Sequence, residues 1–260
     1  MPTIAAIAAF LEQVAPFRLA EEWDNVGLLV GHRHQSVKKI MTCLTVTPAS
    51  AAEAVETGAD LIVTHHPMPF RAVQRLTSDT TVGEILLDLI AEHIAVYSPH
   101  TAFDSTADGV NDRLAAGLEL RDVVPLVPYA EGQGTGRRGR LANAIPLGVL
   151  ADRLKRFLSI ERLQMVGQPE QPVRTVAIAC GAADELLDAA RASDCDAMVI
   201  GEARFHTCLE AQAAGVGLLL PGHFASERFA VECLAEILKQ TFPEADVWAS
   251  RRESDPIRWQ

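Results

Sequence analysis

Short apolar strands alternate with amphipathic helices along most of this 260-residue chain, and this alternation limits the fold more than any other feature. Apolar residues recur at helical spacing in segments 4–14, 147–158 and 227–240, and runs of four or five apolar residues lie between the predicted helices. Strands that alternate with helices pack as sheets covered by helices. The sequence therefore predicts a layered α/β fold, and a hydrophobic content of 48% is enough for a well-formed core.

The composition changes near residue 125, where two prolines and the glycine-rich run 132–139 interrupt the pattern. The glycines lack the order of a phosphate-binding loop, so we interpret the run as a flexible turn that enters a strand. Beyond it, segment 188–202 repeats the layout of segment 52–66, with Asp196 at the position of Asp60. The repeat predicts two domains of similar build, although convergent helix–strand patterning would give the same similarity.

Charge and cysteine content exclude several classes of protein. The net charge is −11, which disfavours generic nucleic-acid binding because phosphate contacts need a Lys/Arg surface. The five cysteines are odd in number and include no Cys-x-x-Cys, which is typical of buried reduced thiols in a cytosolic protein. No apolar run approaches the ~18 residues of a spanning helix. We therefore expect a cytoplasmic protein that binds neither membranes nor nucleic acid.

Two adjacent histidines follow one of the predicted strands directly. His65 and His66 come after the apolar run 61–64 and before Pro67, which cannot extend the strand pairing. Successive side chains on a strand point to opposite faces, so one element can offer imidazole groups to two neighbouring positions. Crowding two imidazoles is electrostatically poor unless a cation uses them as neutral donors. We predict that the pair binds metal, with a structural role as the alternative.

Further metal-type residues follow other predicted strands. His100 and Asp104 come between a strand and a helix, and His223 and Glu227 stand four residues apart where the last helix begins. Four-residue spacing places His223 and Glu227 on one face if the helix begins early. His65, His66 and His223, together with the two carboxylates, suit a pair of divalent metals with the carboxylates bridging. The plainer alternatives are a turn residue for Asp104 and helix-dipole stabilisation for Glu227.

Glu202 and His206 repeat the four-residue spacing after a strand of the second half. If the two domains face one another, this pair approaches the metals from the opposite wall. There it fits substrate contact or proton transfer better than metal ligation. His100 is a candidate for orienting a ligand or touching substrate, and Arg204 is a candidate phosphate contact.

These motifs, in this order, resemble the Nif-three-like family, also called the dinuclear-metal-centre hexameric family, some members of which are named type 2 GTP cyclohydrolase I. The resemblance covers nearly the whole chain. It rests on six separated segments, namely 22–28, 64–67, 100–104, 109–112, 201–202 and 222–227.

The resemblance implies two divalent metal ions per chain (zinc, iron, manganese or magnesium) bound by five residues: His65, His66, Asp104, His223 and Glu227. Asp104 and Glu227 would be the bridges, and His100 and His206 match family residues near the metals. The implied architecture inserts a domain of residues 125–221 into a metal-binding domain of residues 1–124 and 222–260, with the metals in the cleft between them. It also implies a toroidal homohexamer.

This sequence departs from the family pattern at two places. Ala102 stands where Asn is common, which removes a polar group near the site. A glycine-rich turn of the second domain is replaced by the segment 180–183, Cys-Gly-Ala-Ala, which changes the groups available there for substrate contact.

The resemblance implies a metal-dependent hydrolase of the GTP cyclohydrolase I type 2 kind, since two close metals activate water and polarise a substrate. The substrate would be a nucleotide or another phosphate-containing small molecule. His100, Glu202 and His206 would be the catalytic residues that transfer protons. The alternative is a non-enzymatic protein of another class, a metal-handling or partner-binding ring.

Overall fold

The computed structural model describes residues 1–130 and 132–258. The chain divides into two compact units. Unit 1 comprises Met1–Phe103 and Ala230–Pro256, and Asp104–Phe229 forms the body of unit 2. Unit 2 is therefore inserted into the sequence of unit 1, as predicted.

The described residues contain nine α-helices and eleven strands. The helices are α1 (Ile4–Val14), α2 (Pro48–Thr57), α3 (Thr81–Ala91), α4 (His100–Ser105), α5 (Val110–Gly117), α6 (Leu147–Leu158), α7 (Leu187–Ala192), α8 (Phe205–Ala214) and α9 (His223–Thr241). The strands are β1 (Gly27–Val30), β2 (Lys39–Cys43), β3 (Leu61–Thr64), β4 (Ala95–Ser98), β5 (Arg121–Ala130), β6 (Gln133–Pro146), β7 (Gln164–Val166), β8 (Pro172–Ala179), β9 (Ala197–Ile200), β10 (Gly217–Leu220) and β11 (Asp246–Ala249).

Unit 1 is built on a five-stranded sheet in the order β1-β4-β3-β2-β11. β1 is antiparallel to β4, and the other neighbours are parallel. All residues of β3 and β4 are buried, as expected for strands covered on both faces. Its core includes Met41, Ile62 and Val96, which are fully buried. The carboxyl ends of β2, β3 and β4 therefore meet at one edge of this sheet.

Unit 2 is built on a six-stranded sheet in the order β5-β6-β8-β9-β10-β7. β8, β9 and β10 are parallel, β7 is antiparallel to β10, and β5 and β6 form a long antiparallel hairpin beside β8. Met198 and Leu218 lie in its core. As in unit 1, the ends of three parallel strands lie side by side.

Local sequence signals account for the helices that precede the site. In α2, Thr47 and Ser50 form a reciprocal capping box, Pro48 occupies the first turn, and Gly58 ends the helix in the left-handed conformation. In α6, the buried residues Leu147, Leu150 and Leu154 follow a helical period. Capping residues therefore define the ends of α2, and a helical apolar period defines the buried face of α6.

The predicted internal repeat is present in the hydrogen bonding. The Asp60 carboxylate accepts two backbone N–H groups that lead into β2, at 2.7 and 2.9 Å. The Asp196 carboxylate accepts two backbone N–H groups of β8, both at 2.8 Å. Each aspartate thus joins the start of one central strand to its parallel neighbour, and the two units share this device.

The chain passes from unit 1 to unit 2 after residue 103 and back to unit 1 after residue 229. We predicted these boundaries after residues 124 and 221. The prediction followed the change in composition near residue 125. Helix α5 precedes that change, but it packs against β6 and β8 and so belongs to unit 2.

Two local predictions were wrong. The run 132–139 was predicted as a flexible turn, but β6 begins at Gln133 and pairs with both β5 and β8. Its glycines permit close pairing, since a Cβ on Gly134 would lie 2.1 Å from the Val127 carbonyl oxygen. Helix α9 was predicted from Glu227, but it begins at His223.

Among the described residues, no helix combines the length and the apolar character that crossing a membrane would require.

Candidate metal centre

The backbone at the strand ends of unit 1 fixes the positions of His65 and His66. The His65 N–H donates to the Cys43 carbonyl at 3.0 Å, and the His66 N–H donates to the Leu44 carbonyl at 2.8 Å. The Ser98 hydroxyl at the end of β4 donates to the His65 carbonyl at 2.6 Å. The pairing of the central strands therefore continues through the histidine pair, which holds both residues on ordered backbone.

Three imidazole rings of unit 1 lie together at this edge. The ring centroids are 5.2 Å apart for His65 and His66, 5.2 Å for His65 and His100, and 5.5 Å for His66 and His100. One ring nitrogen from each lies within 4.8 Å of the other two. We name these three residues the imidazole cluster. Its spacing allows a single cation to contact nitrogens from more than one ring.

Polar partners orient two of these rings. His66 Nδ1 lies 2.7 Å from the Thr45 hydroxyl, and His100 Nδ1 lies 2.7 Å from Asp24 Oδ1. A histidine that donates through Nδ1 presents Nε2 as a neutral donor for a metal. Histidine ligands of metals commonly have such partners, which fix both tautomer and ring orientation.

Asp24 is a member of this site that the sequence predictions did not include. Its side chain is 1% exposed, and it also accepts hydrogen bonds from the backbone and hydroxyl of Thr101. Burial would raise its pKa, but the hydrogen bond and charge of His100 and the bonds from Thr101 hold the pKa below its usual value. Asp24 is therefore an anion that aligns His100.

In unit 2, three hydrogen bonds link Asp104, Cys180 and Asn111. The Cys180 thiol donates to Asp104 Oδ1 at 3.1 Å. The Cys180 N–H donates to Asn111 Oδ1 at 2.8 Å, and Asn111 Nδ2 donates to the Asp104 carbonyl at 3.0 Å. Burial, followed by the charges of Asp104 and Glu227, raises the pKa of the Cys180 thiol well above its usual value. Cys180 is thus a neutral donor that orients the Asp104 carboxylate.

His223 and Glu227 lie on one face of α9, because that helix begins early. His223 Nε2 is 3.1 Å from Glu227 Oε2, and His223 Nδ1 is 2.9 Å from Glu202 Oε1. Burial opposes protonation of His223, but the hydrogen bond and charge of Glu227, followed by those of Glu202, raise its pKa to about 9. Glu227 is 4% exposed, so its carboxylate is shielded from water. In the metal-free chain a proton on His223 offsets this negative charge.

The turn after β8 leaves space for these groups. Gly181 has φ +63°, and a Cβ there would lie 2.3 Å from Glu227 Oε1 and 3.3 Å from His223 Nε2. The Gly181 N–H donates to the Ser226 hydroxyl at 3.0 Å, which donates in turn to the His223 carbonyl at 2.8 Å. Glycine is therefore required at this position, both for its backbone conformation and for the room beside the carboxylate.

The donor groups of both units fit divalent metal ions. Imidazole nitrogens and carboxylate oxygens are ligands that zinc, iron and manganese accept. The imidazole cluster offers ring nitrogens at mutual distances within 4.8 Å, and the absence of a side chain on Gly181 leaves room beside the Glu227 carboxylate. These features would suit a metal better than they suit a tightly packed core.

The structure groups the predicted site residues within each unit. Unit 1 brings His100 as close to His65 and His66 as they are to each other, although we predicted a catalytic role for His100. Unit 2 brings Glu202, His223 and Glu227 into direct contact.

Two other predicted groups of unit 2 lie in simpler surroundings. His206 lies exposed on α8 with its ring 5.9 Å from that of Phe205. The Arg204 side chain, our candidate for a phosphate contact, donates to Asp184 at 2.7 Å. A phosphate would therefore compete with Asp184 for this guanidinium group. At the family departure in α4, Ala102 is fully buried and adds no polar group.

Comparisons with known proteins agree on one family. The family Duf34/NIF3 (NGG1p interacting factor 3) matches residues 2–256. A Streptomyces coelicolor protein named GTP cyclohydrolase 1 type 2 homolog is 36% identical over 234 residues, covering 87% of this chain and 82% of that protein. The Drosophila melanogaster NIF3-like protein 1 is 33% identical over 260 residues, covering 98% and 88%.

The similarity extends to solved structures. A Staphylococcus aureus protein of known crystal structure superposes with a TM-score of 0.90 at 26% identity, covering 100% of this chain and 99% of that one. Both the sequence and the fold therefore match over essentially the whole chain, and the chain belongs to the Duf34/NIF3 (NGG1p interacting factor 3) family.

Proposed function

We propose that this protein binds two divalent metal ions and is a metal-dependent hydrolase of a nucleotide or another phosphate-containing small molecule. The observation that carries the proposal is that ring nitrogens of His65 and His66 lie within 4.8 Å of each other, with a nitrogen of His100 at the same distance from both. The proposed ligands are His65, His66, Asp104, His223 and Glu227. The name of the Streptomyces relative, GTP cyclohydrolase 1 type 2 homolog, supports a nucleotide as substrate.

When bound, a pair of divalent metals supplies an activated water and a Lewis acid for a substrate oxygen or carbon centre. The residues of this chain hold the ligands in place and move protons. Thr45 and Asp24 fix the rings of His66 and His100 through Nδ1. Glu202 is exposed, and its Oε1 accepts a hydrogen bond from His223 Nδ1. This oxygen is therefore positioned to receive a proton. We propose His100, Glu202 and His206 as the proton-transferring residues.

The first test is the metal content of the purified protein, measured by plasma mass spectrometry without affinity-tag metals. We expect about two metals per wild-type chain. His66→Ala and Glu227→Ala should each lose most of that metal. His34→Ala is the matched control, because His34 is an exposed loop histidine outside the proposed site. Wild type without metal, and without uptake after reconstitution, would reject the proposed function.

The second test is catalysis by the metal-loaded protein on GTP and a panel of nucleotides and phosphoesters, with products identified by mass spectrometry. His100→Gln and Glu202→Gln should keep their metals and lose hydrolysis by about 10²-fold or more, the usual contribution of a positioned acid or base. Hydrolysis that is unchanged in both variants would contradict the catalytic assignment while leaving the metal site intact.

A non-enzymatic role in metal handling or partner binding is the second candidate. Its support is the position of His206, one of the three residues assigned to proton transfer, which lies exposed on α8 beside the ring of Phe205. Bound metal together with no hydrolysis across the panel would favour this candidate. We also propose a homohexamer, for which sedimentation should give six times the 28.1-kDa mass of the chain.

A further inference from the structure

Two large aromatic side chains lie exposed beside the imidazole cluster. Trp23 is 63% exposed and Phe70 is 49% exposed. Their ring centroids are 6.0 Å apart, with the ring planes tilted by 38°. Burial of large aromatic side chains stabilises a fold. Aromatic groups that instead lie exposed side by side often mark a binding surface.

The loop that carries Trp23 is held by the two residues that follow it. The Asp24 carboxylate accepts from the Thr101 backbone at 3.1 Å and lies 2.7 Å from His100 Nδ1. Asn25 Nδ2 donates to the Pro69 carbonyl at 3.0 Å, which joins this loop to the residue that precedes Phe70. The backbone of Trp23 is therefore held in place while its ring is exposed. Stacking of a ligand on this ring should cost little conformational entropy of the loop.

The aromatic pair is continuous with the proposed metal site. The ring centroids of Trp23 and Phe70 each lie 5.9 Å from that of His100, with interplanar angles of 77° and 74°. His100 is in turn 5.2 Å from His65. A molecule that stacks on the aromatic pair would therefore have its neighbouring atoms beside the imidazole cluster.

The local charge also suits an anionic ligand. The chain has a net charge of −11, but segment 61–78 contains no acidic residue and includes Arg71 and Arg75. Both arginines are exposed, and Arg71 directly follows Phe70. The two residues before Trp23 are glutamates, so a phosphate group would meet positive charge on the Phe70 side of a stacked ring.

We propose that Trp23 and Phe70 form a stacking platform for the planar base of a nucleoside phosphate. The choice of a phosphate-bearing ligand rests on the proposed function. Stacking recognises a π-face and not a hydrogen-bonding edge, so the platform should accept several bases. This assigns base binding to unit 1 and separates it from metal ligation.

The test measures binding of guanosine 5′-monophosphate to the full chain by isothermal titration calorimetry. Trp23→Leu and Phe70→Leu remove one ring each, whereas Trp23→Phe keeps an aromatic face at the same position. Ribose 5-phosphate, which lacks the base, is the control ligand. Metal content is measured on every variant, so that a failed platform is distinguished from a failed metal site.

We expect Trp23→Leu to weaken binding of guanosine 5′-monophosphate about tenfold, as for loss of one base–aromatic stack. Phe70→Leu should weaken it by a smaller factor, and Trp23→Phe should stay within about threefold of wild type. Affinity for ribose 5-phosphate and metal content should not change. If the wild-type protein binds no metal, a tenfold effect of Trp23→Leu would still support the platform, and the missing metal alone would contradict the metal site.

Three outcomes would overturn the platform. The first is wild-type affinity in Trp23→Leu, and the second is an equal loss for ribose 5-phosphate, which would indicate a displaced loop. The third is a metal-loaded wild type that binds no guanosine 5′-monophosphate, which would leave metal binding intact. A lower sedimentation mass in Trp23→Leu with unchanged nucleotide affinity would instead assign the rings to contact with a second copy of the chain.

Discussion

The two units have the same strand framework but different residues at its ends. Unit 1 orders four strands as β1-β4-β3-β2, and unit 2 orders their counterparts as β7-β10-β9-β8, each with an antiparallel edge strand. After the second central strand, unit 1 has His65 and His66, whereas unit 2 has Gly201 and Glu202. The framework satisfies backbone hydrogen bonds in both units, so the strand ends are free to carry different chemistry.

The two units also differ in the side-chain groups that hydrogen bonds orient at their strand ends. Unit 1 offers imidazole nitrogens, and a hydroxyl and a carboxylate group orient the rings of His66 and His100. Unit 2 offers mainly carboxylates, one of which is held by the thiol of Cys180. The same framework therefore carries imidazole groups at the strand ends of unit 1 and mainly carboxylates at those of unit 2.

The strand added beyond the framework also differs. Unit 1 adds the parallel β11, and the carboxylate of Glu53 accepts hydrogen bonds from the chain at and after this strand. Unit 2 adds the antiparallel pair β5 and β6, and the guanidinium group of Arg137 on β6 donates to Asp112 and to four carbonyl oxygens. The buried carboxylate of Glu53 therefore stabilises β11 in unit 1, and the buried guanidinium group of Arg137 stabilises β6 in unit 2.

The largest effect should come from Arg137→Met. The side chain is 2% exposed, and its loss leaves Asp112 and several carbonyl groups without their donor. We expect unfolding free energy to fall by about 3–5 kcal/mol, as for breaking a buried ion pair. Urea denaturation gives the value, and hydrogen exchange should locate the loss in unit 2. Arg140→Met, at an exposed position on the same strand, is the control. Similar losses in both variants would remove the special role of Arg137.

Glu53→Gln tests the corresponding anion of unit 1. Burial would raise its pKa, but hydrogen bonds from Ser250, the Arg251 and Arg252 backbone and Trp248 hold it below the ordinary value of 4.5. A lowered folded-state pKa means stability that is present above pH 4.5 and is lost as the pH falls through the folded value. We expect a loss of about 2–3 kcal/mol at pH 7.

The pH dependence is the sharper readout for Glu53→Gln. Wild type should lose stability below pH 4.5, and the variant should show a flatter profile there. Glu244→Gln is the control, because Glu244 is an exposed glutamate of the same unit. A variant profile as steep as that of wild type would assign acid sensitivity to other carboxylates.

Asp60→Ala and Asp196→Ala test whether the shared framework is energetically equivalent in the two units. Each change removes an acceptor of two backbone N–H groups. We expect each to lower unfolding free energy by about 2 kcal/mol, measured by urea denaturation. Losses that differ by more than about 1 kcal/mol would show that the repeat is one of topology and not of stability.

The smallest effect on stability, with a clear effect on metal affinity, should come from Thr45→Val and Cys180→Ala. Each removes one orienting hydrogen bond from a proposed ligand, His66 in one case and Asp104 in the other. We expect stability to change by about 1 kcal/mol or less and metal affinity to fall about tenfold. Competition with a metal-binding dye gives the affinity. Unchanged affinity in both variants would show that neither partner positions its ligand.

Much of the secondary structure could be predicted from local pattern. The bounds of α1 and α6 agree with the predicted segments 4–14 and 147–158, because an apolar period of 3.6 is a signal within a few residues. The β5–β6 hairpin was missed, since prolines and glycines disfavour strands locally and pairing across the hairpin outweighs that preference.

The candidate site was predictable in its residues and not in its contacts. Histidines and carboxylates at strand ends are visible in the sequence, so the proposed ligands could be named. Asp24 and Cys180 could not be placed, because each meets its partner, His100 or Asp104, across 76 residues. No local pattern reports a contact at that separation.

The sequence by itself determined the alternation of strands and helices, the internal repeat and the identity of the residues at the strand ends. The reason is that hydrophobic periodicity and capping act over a few residues. Only the tertiary structure decided that three imidazoles converge in unit 1, that Trp23 lies anchored beside Phe70, and that Arg137 is buried. Those features depend on strand pairing and hydrogen bonds between distant segments, which form only when the whole chain folds.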